Sequence, residues 1–143
     1  LATITIMQRI LLLLAICVGL VGCRDTIKGK SVAEPEVGVF HQRLNQKQFD
    51  EIYSAASDNF RKAAPKEKVF ELFSAIGRKL GPAKSWTTTS WNVKTFNFVT
   101  TVVLVQNTTF ERGQGTETFT FQVSGDKATL VGYNINSLDL MTK

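Results

Sequence analysis

Hydrophobic positions along the chain change their period once, near Pro82. Before it, apolar residues recur at three- and four-residue intervals, the mark of helix. From about Glu36 to Arg61 these are Val37, Phe40 and Leu44, then Phe49, Ile52, Tyr53, Ala56 and Phe60. Asn45-Gln46-Lys47-Gln48 between the two sets reads equally as a break or as an exposed helical turn. The next helix is clearer: Pro65 suits its first position, Val69, Leu72, Phe73, Ile76 and Leu80 form one face, and Gly81-Pro82 end it. After Pro82 the chain turns to Thr, Val, Phe and Trp with Gly and Asn punctuation, a strand composition. Trp86 to Val93 and Phe98 to Val105 read as strands, the second apolar on both faces as in a central strand. Glu117 to Val123 alternates with Phe119, Phe121 and Val123 inward, and Ser124-Gly125-Asp126 turns into a last strand, Ala128 to Ile135. Helices first and about four antiparallel strands after them predict an α+β layer, with N-terminal helices packed on a curved four-stranded sheet.

One apolar stretch fits neither period. Ile10 to Leu20 is a run of 11, preceded by Arg9 and followed by small residues. This is the layout of a secretory signal, and it is shorter than the roughly 20 residues of a membrane span. Extending it toward Leu1 would bury Arg9, at about 2.5–3.5 kcal/mol. Met7 is the expected translation start. Leu20-Val21-Gly22-Cys23 resembles the bacterial lipobox, in which small residues admit a peptidase to the Gly22-Cys23 bond and the cysteine thiol takes a diacylglycerol. The expectation is therefore a signal peptide over 1–22, lipidation (palmitate-type acyl chains) at Cys23, and a tether over 23–35 ahead of one domain at 36–143. Several acyl chains at about 0.8 kcal/mol per buried methylene make a stable anchor. This places the protein in the cell envelope, facing the periplasm, and Arg24 after the cysteine favours the outer membrane over the inner. Cys17 falls in the discarded segment, which leaves no disulfide.

Composition adds exclusions. The chain has 143 residues, 43% of them hydrophobic and 20% charged, which fits one ordinary folded domain. Its net charge of +5 comes from Lys and Arg spread along the chain. A nucleic-acid binder would concentrate them in a stripe with aromatics, so no nucleic-acid partner is expected. Arg24 to Pro35 is polar with no hydrophobic period, hence the tether.

The order of elements resembles the cystatin-like cone shared with the nuclear transport factor 2-like superfamily. Phe49-Asp50-Glu51-Ile52-Tyr53-Ser54-Ala55-Ala56-Ser57-Asp58-Asn59-Phe60 looks like a helix of small bacterial lipoproteins from domain-of-unknown-function families of this kind. Leu130-Val131-Gly132-Tyr133-Asn134-Ile135-Asn136-Ser137 looks like their closing strand. The resemblance covers about Glu36 to Leu140 and implies a fold rather than an activity, since the superfamily hosts enzymes and binding modules alike.

Candidate chemistry is thin. His41 is the only histidine and the mature chain's only thiol is expected to be acylated, so nucleophilic sites are hard to build. His41 itself reads as a solvated helical residue. No spacing of His, Cys or carboxylates suits a metal, and no cofactor is expected. An isomerase-like pocket needs a carboxylate and a phenol in an apolar cavity. Tyr53, Asp50, Asp58 and Tyr133 are available, but both aspartates read as exposed helix ends and Tyr133 as a core residue with its hydroxyl toward solvent. Gly113-Gln114-Gly115 reads as a hairpin loop. Trp86 and Trp91, five residues apart on one strand, are expected on opposite faces. Tyr53, Trp86, Trp91 and Tyr133 are the candidates for contact with a ligand or partner; no catalytic residue is assigned. The leading expectation is a non-enzymatic binding or accessory module, anchored in the membrane by lipid, for an envelope protein or a small apolar ligand. The alternatives are a pocket enzyme of the isomerase or hydrolase type, and an inhibitor or immunity protein for a cell-wall enzyme. A buried carboxylate facing Tyr53 or Tyr133 in a closed cavity would favour the enzyme, and an exposed tryptophan patch would favour protein binding.

Overall fold

A computed structural model describes residues 21–142. Residues 1–20, with Met7 and Cys17, lie outside the described residues. Gly22 and Cys23 lie within helix α1 (Val21–Asn45). Short helices α2 (Phe49–Ala55) and α3 (Asp58–Ala63) follow, then α4 (Lys66–Lys79). Strands β1 (Ala83–Phe96), β2 (Val99–Phe110), β3 (Gly113–Ser124) and β4 (Lys127–Asn136) come next, and a short helix, α5 (Leu138–Thr142), closes the described chain. The strands form one antiparallel meander in the order β1-β2-β3-β4, so the fold is α+β with the helices on one side of an open sheet.

The stretch expected as a tether, 24–35, is helical instead. Its apolar stripe is real but made of small residues: Gly29, Ala33 and Val37 are buried and lead into Phe40 and Leu44. Small side chains let the helix axis approach the sheet closely. A methyl at Gly29 would meet Val93 at 3.2 Å and Val102 at 3.3 Å. Pro35 sits inside this helix on an exposed turn, and packing on both sides of it outweighs its usual cost of about 3 kcal/mol. The folded domain therefore begins before 36.

The break after Asn45 is real: Lys47 adopts φ 58, and the Asn45 side chain turns away to clamp β1. Its amide donates to the Ala83 carbonyl at 3.0 Å and its oxygen accepts from the Ala83 amide at 2.8 Å. Ser57 caps α3 by accepting from Phe60 N–H, and its own N–H donates to Leu130 O at 2.9 Å, joining the helices to β4. Helix α4 follows expectation, with Gly81 in the left-handed region at φ 77 just past its end.

Three register irregularities bend the sheet: two on β1, at Ala83/Ser85 and Thr88/Ser90, and one between β3 and β4 at Thr120/Phe121. On the helix-facing side, Val102, Leu104, Phe119, Phe121, Ala128 and Leu130 pack against Phe40, Phe73, Ile76 and Leu80. The outer side is mostly Thr, Ser and Asn, and no described element covers it. Val103 and Val105 there are half-buried, so β2 has one buried face rather than two. Gly113 and Gly115 lie in β3 and the hairpin turn precedes them, at Glu111-Arg112. A Cβ at Gly113 would stand 2.6 Å from the Asp139 carboxylate, which explains the glycine.

The β1–β2 turn, Phe96-Asn97-Phe98-Val99, has φ 47 at Asn97 and φ 63 at Phe98, the pattern of a type I′ hairpin. Glycine usually takes the second position. A phenylalanine there carries a left-handed penalty of about 1–2 kcal/mol.

Candidate functional site

Polar side chains interrupt the helix-facing side of the sheet in one place. Glu117 shares the parity of Phe119 and Phe121 on β3, so the pleat points its carboxylate into the core. Three groups meet it. His41 Nε2 lies 2.7 Å from Oε2, the Thr108 hydroxyl donates to the same oxygen at 2.5 Å, and the Tyr133 hydroxyl donates to Oε1 at 2.6 Å. His41, Thr108 and Glu117 are all buried. A carboxylate accepts and does not donate, so the imidazole proton sits on Nε2 and His41 Nδ1 is left with no partner. Burial, and then the adjacent Glu117 charge, push the Tyr133 phenol well above its ordinary pKa, since phenolate would add a second negative charge beside the buried carboxylate.

A second polar set, Glu34, Thr88 and Gln106, extends the cluster along α1. The Thr88 hydroxyl donates to Glu34 Oε1 at 2.5 Å, and Gln106 Nε2 donates to Thr88 Oγ1 at 2.9 Å. The Thr88 hydrogen bond holds the Glu34 carboxyl below its usual range, against the opposing pull of partial burial. Trp86 closes the side of the cluster, its ring 4.4 Å from the His41 ring.

This geometry corrects three expectations. His41 is buried and paired, because it follows the α1 stripe: Val37, Phe40, His41 and Leu44 share one helical face. The Tyr133 hydroxyl points inward to Glu117, not toward solvent. Trp86 and Trp91 lie on the same face, the one toward α1, because Thr89 is the extra residue of the second β1 bulge and resets the alternation. Trp86 pairs across from Thr108 and Trp91 from Leu104, both inward-facing positions of β2.

The four candidate residues do not form one site. Tyr133 and Trp86 meet through Glu117 and His41. Trp91 stands farther along β1 under the Lys30 ammonium, 4.7 Å from its ring centre. Tyr53 lies apart; its ring contacts Phe60 and Phe70, and its hydroxyl reaches the carbonyls of Arg61 and Ala64, each at 3.2 Å, which ties α2 to α3. Asp50 and Asp58 are exposed in the first turns of their helices, as expected. Glu117, Thr108 and Gln106 were missed, although each holds the inward parity of its strand. That parity was the available signal.

Because β1 is an edge strand, its tryptophans remain open on one side: Trp86 is 37% exposed and Trp91 50%. Two concave spaces of the domain lie elsewhere. One is lined by Glu36, Phe40, Arg43, Ile52, Phe121 and Lys127, and another by Leu44, Phe49, Phe73, Ser74 and Pro82. Neither reaches Glu117. Among the described residues no helix is long and apolar enough to cross a membrane, and no group of three or more His, Cys, Asp or Glu is placed to hold a metal. No family model matches the chain, and neither a curated protein nor a solved structure matches it.

Proposed function

We propose that the protein is a membrane-anchored lipoprotein of the cell envelope, facing the periplasm, whose domain works by binding rather than by turnover. The observation that carries the binding reading is that Trp86 and Trp91 share one face of an edge strand and are each partly exposed. Tryptophans in such a position supply large contact area at low entropic cost, and they are the residue type most often dominant in protein contacts. The lipobox-like Leu20-Val21-Gly22-Cys23 supports the anchor and its periplasmic side, and Arg24 favours the outer membrane. Cys23 lies within helix α1, so the acylated residue would join the domain directly and hold it close to the lipid surface.

A second reading, a pocket enzyme, draws on the buried Glu117 facing Tyr133 and on the unpartnered His41 Nδ1. It requires Trp86 to swing aside and water to enter. The binding reading is preferred because both carboxylate oxygens are already taken.

The test is metabolic labelling of full-length protein in a bacterial host with a clickable fatty acid, beside Cys23→Ala with the signal retained. The expected outcome is label and membrane sedimentation for the wild type and loss of both in the variant. Equal labelling of the two, or none, would overturn the anchor.

A further inference from the structure

Helix α1 runs antiparallel to β1: Asn45 holds Ala83, Gly38 lies by Trp86, and Gly29 packs on Val93. The N-terminal part of α1 as described and the β1–β2 turn therefore lie at one end of the domain. Their reach is similar. Val21 is eight residues before Gly29, about 12 Å at the helical rise, and Phe96 is three residues past Val93, about 10 Å along a strand. At this shared end stand large apolar side chains that the fold does not use. The Phe98 ring is fully exposed in its left-handed turn, Phe96 is 77% exposed, and Ile27 on α1 is 70% exposed. Exposed lysines flank them: Lys28, which pairs loosely with Asp126 at 3.6 Å, Lys94 and Lys127.

We infer that this end, tipped by Phe96 and Phe98, inserts shallowly into the phospholipid surface that the N-terminal segment attaches to. The inference rests on the membrane-attached reading above. Aromatic rings at the tip with ammonium groups just behind them match the layering of a bilayer interface, apolar below and anionic phosphate at the rim. A protein partner would also accept exposed rings. The bilayer is favoured because Cys23, the expected acylation site, lies on α1 toward this same end. Tip insertion would fix the orientation of the domain, leaving the tryptophan edge facing sideways along the membrane.

The test places the photoreactive amino acid p-benzoylphenylalanine at 98 in the full-length protein in cells, with Thr109 as control. Thr109 is exposed near the opposite end of β2. After irradiation the expected result is a phospholipid adduct at 98 and its loss at 109. A protein adduct at 98, no adduct, or equal lipid adducts at both positions would overturn the inference. Fatty-acid label at Cys23 is read on the same sample. Label without lipid adduct at 98 defeats the tip alone, adduct without label defeats the anchor alone, and absence of both defeats both.

Discussion

Glu117 and Phe98 both sit where ordinary rules would not put them, one a carboxylate without water and the other a phenyl ring with little else around it. Their surroundings treat them differently. Around Glu117 the fold supplies a donor from α1, one from β2 and one from β4, so the cost of removing the charge from water is met by hydrogen bonds. Around Phe98 nothing is supplied. The turn is strained and the ring contributes no burial. A polar group inside with every oxygen taken points to structure, and an apolar group outside with no contacts points to something the domain meets.

That contrast can be broken first at its stable side. Glu117→Leu strands three buried donors at once, and at about 1–3 kcal/mol for each unsatisfied group the loss should be about 3 kcal/mol or more. Urea unfolding followed by tryptophan fluorescence would show it as a lower midpoint at unchanged slope. If the cluster is purely structural, adding His41→Leu, Thr108→Val and Tyr133→Phe should recover most of the loss, because no orphaned donor remains. Failure to recover would mean that the cluster does more than hold the fold.

At the other side the sign should reverse. Phe98→Gly removes the left-handed penalty of about 1–2 kcal/mol and adds a glycine entropy cost of about 0.5–1 kcal/mol. The same unfolding measurement should therefore show a change between about zero and about 1.5 kcal/mol in favour of the variant. A clear destabilisation would show that the Phe98 ring packs on the domain after all.

How far the sequence went can be judged from the same residues. The change from helical to alternating period was readable because α4 and β3 each carry a dense apolar face. Helix α1 before 36 was not, since its buried stripe is Gly29 and Ala33, too small to register as hydrophobic, and Pro35 suggested a boundary. The tryptophan faces were misassigned because parity arguments assume unbroken pairing, and one extra residue at Thr89 inverts everything beyond it. Glu117 was hidden by its type. Its position predicted burial, but a carboxylate is buried only when partners come to it, and those partners lie 76, 9 and 16 residues away. No local pattern brings such residues together.

The central claim, that the ionisable cluster is sealed and structural, is tested most directly by the Tyr133 phenol. The chain has two tyrosines, so Tyr53→Phe leaves a single reporter. That change gives up only the two carbonyl contacts between α2 and α3. A phenol whose folded pKa is raised stabilises the fold below the unfolded value of about 10, and that contribution is lost as pH rises through the folded value. The measurement is phenolate absorbance against pH, with near-ultraviolet circular dichroism on the same sample. A sealed cluster predicts that phenolate stays absent through the ordinary tyrosine range and forms only as the folded signal collapses. Reversible titration near pH 10 with the fold intact would contradict the account: water would then reach Glu117 and His41, and the enzyme reading would move ahead of the binding one.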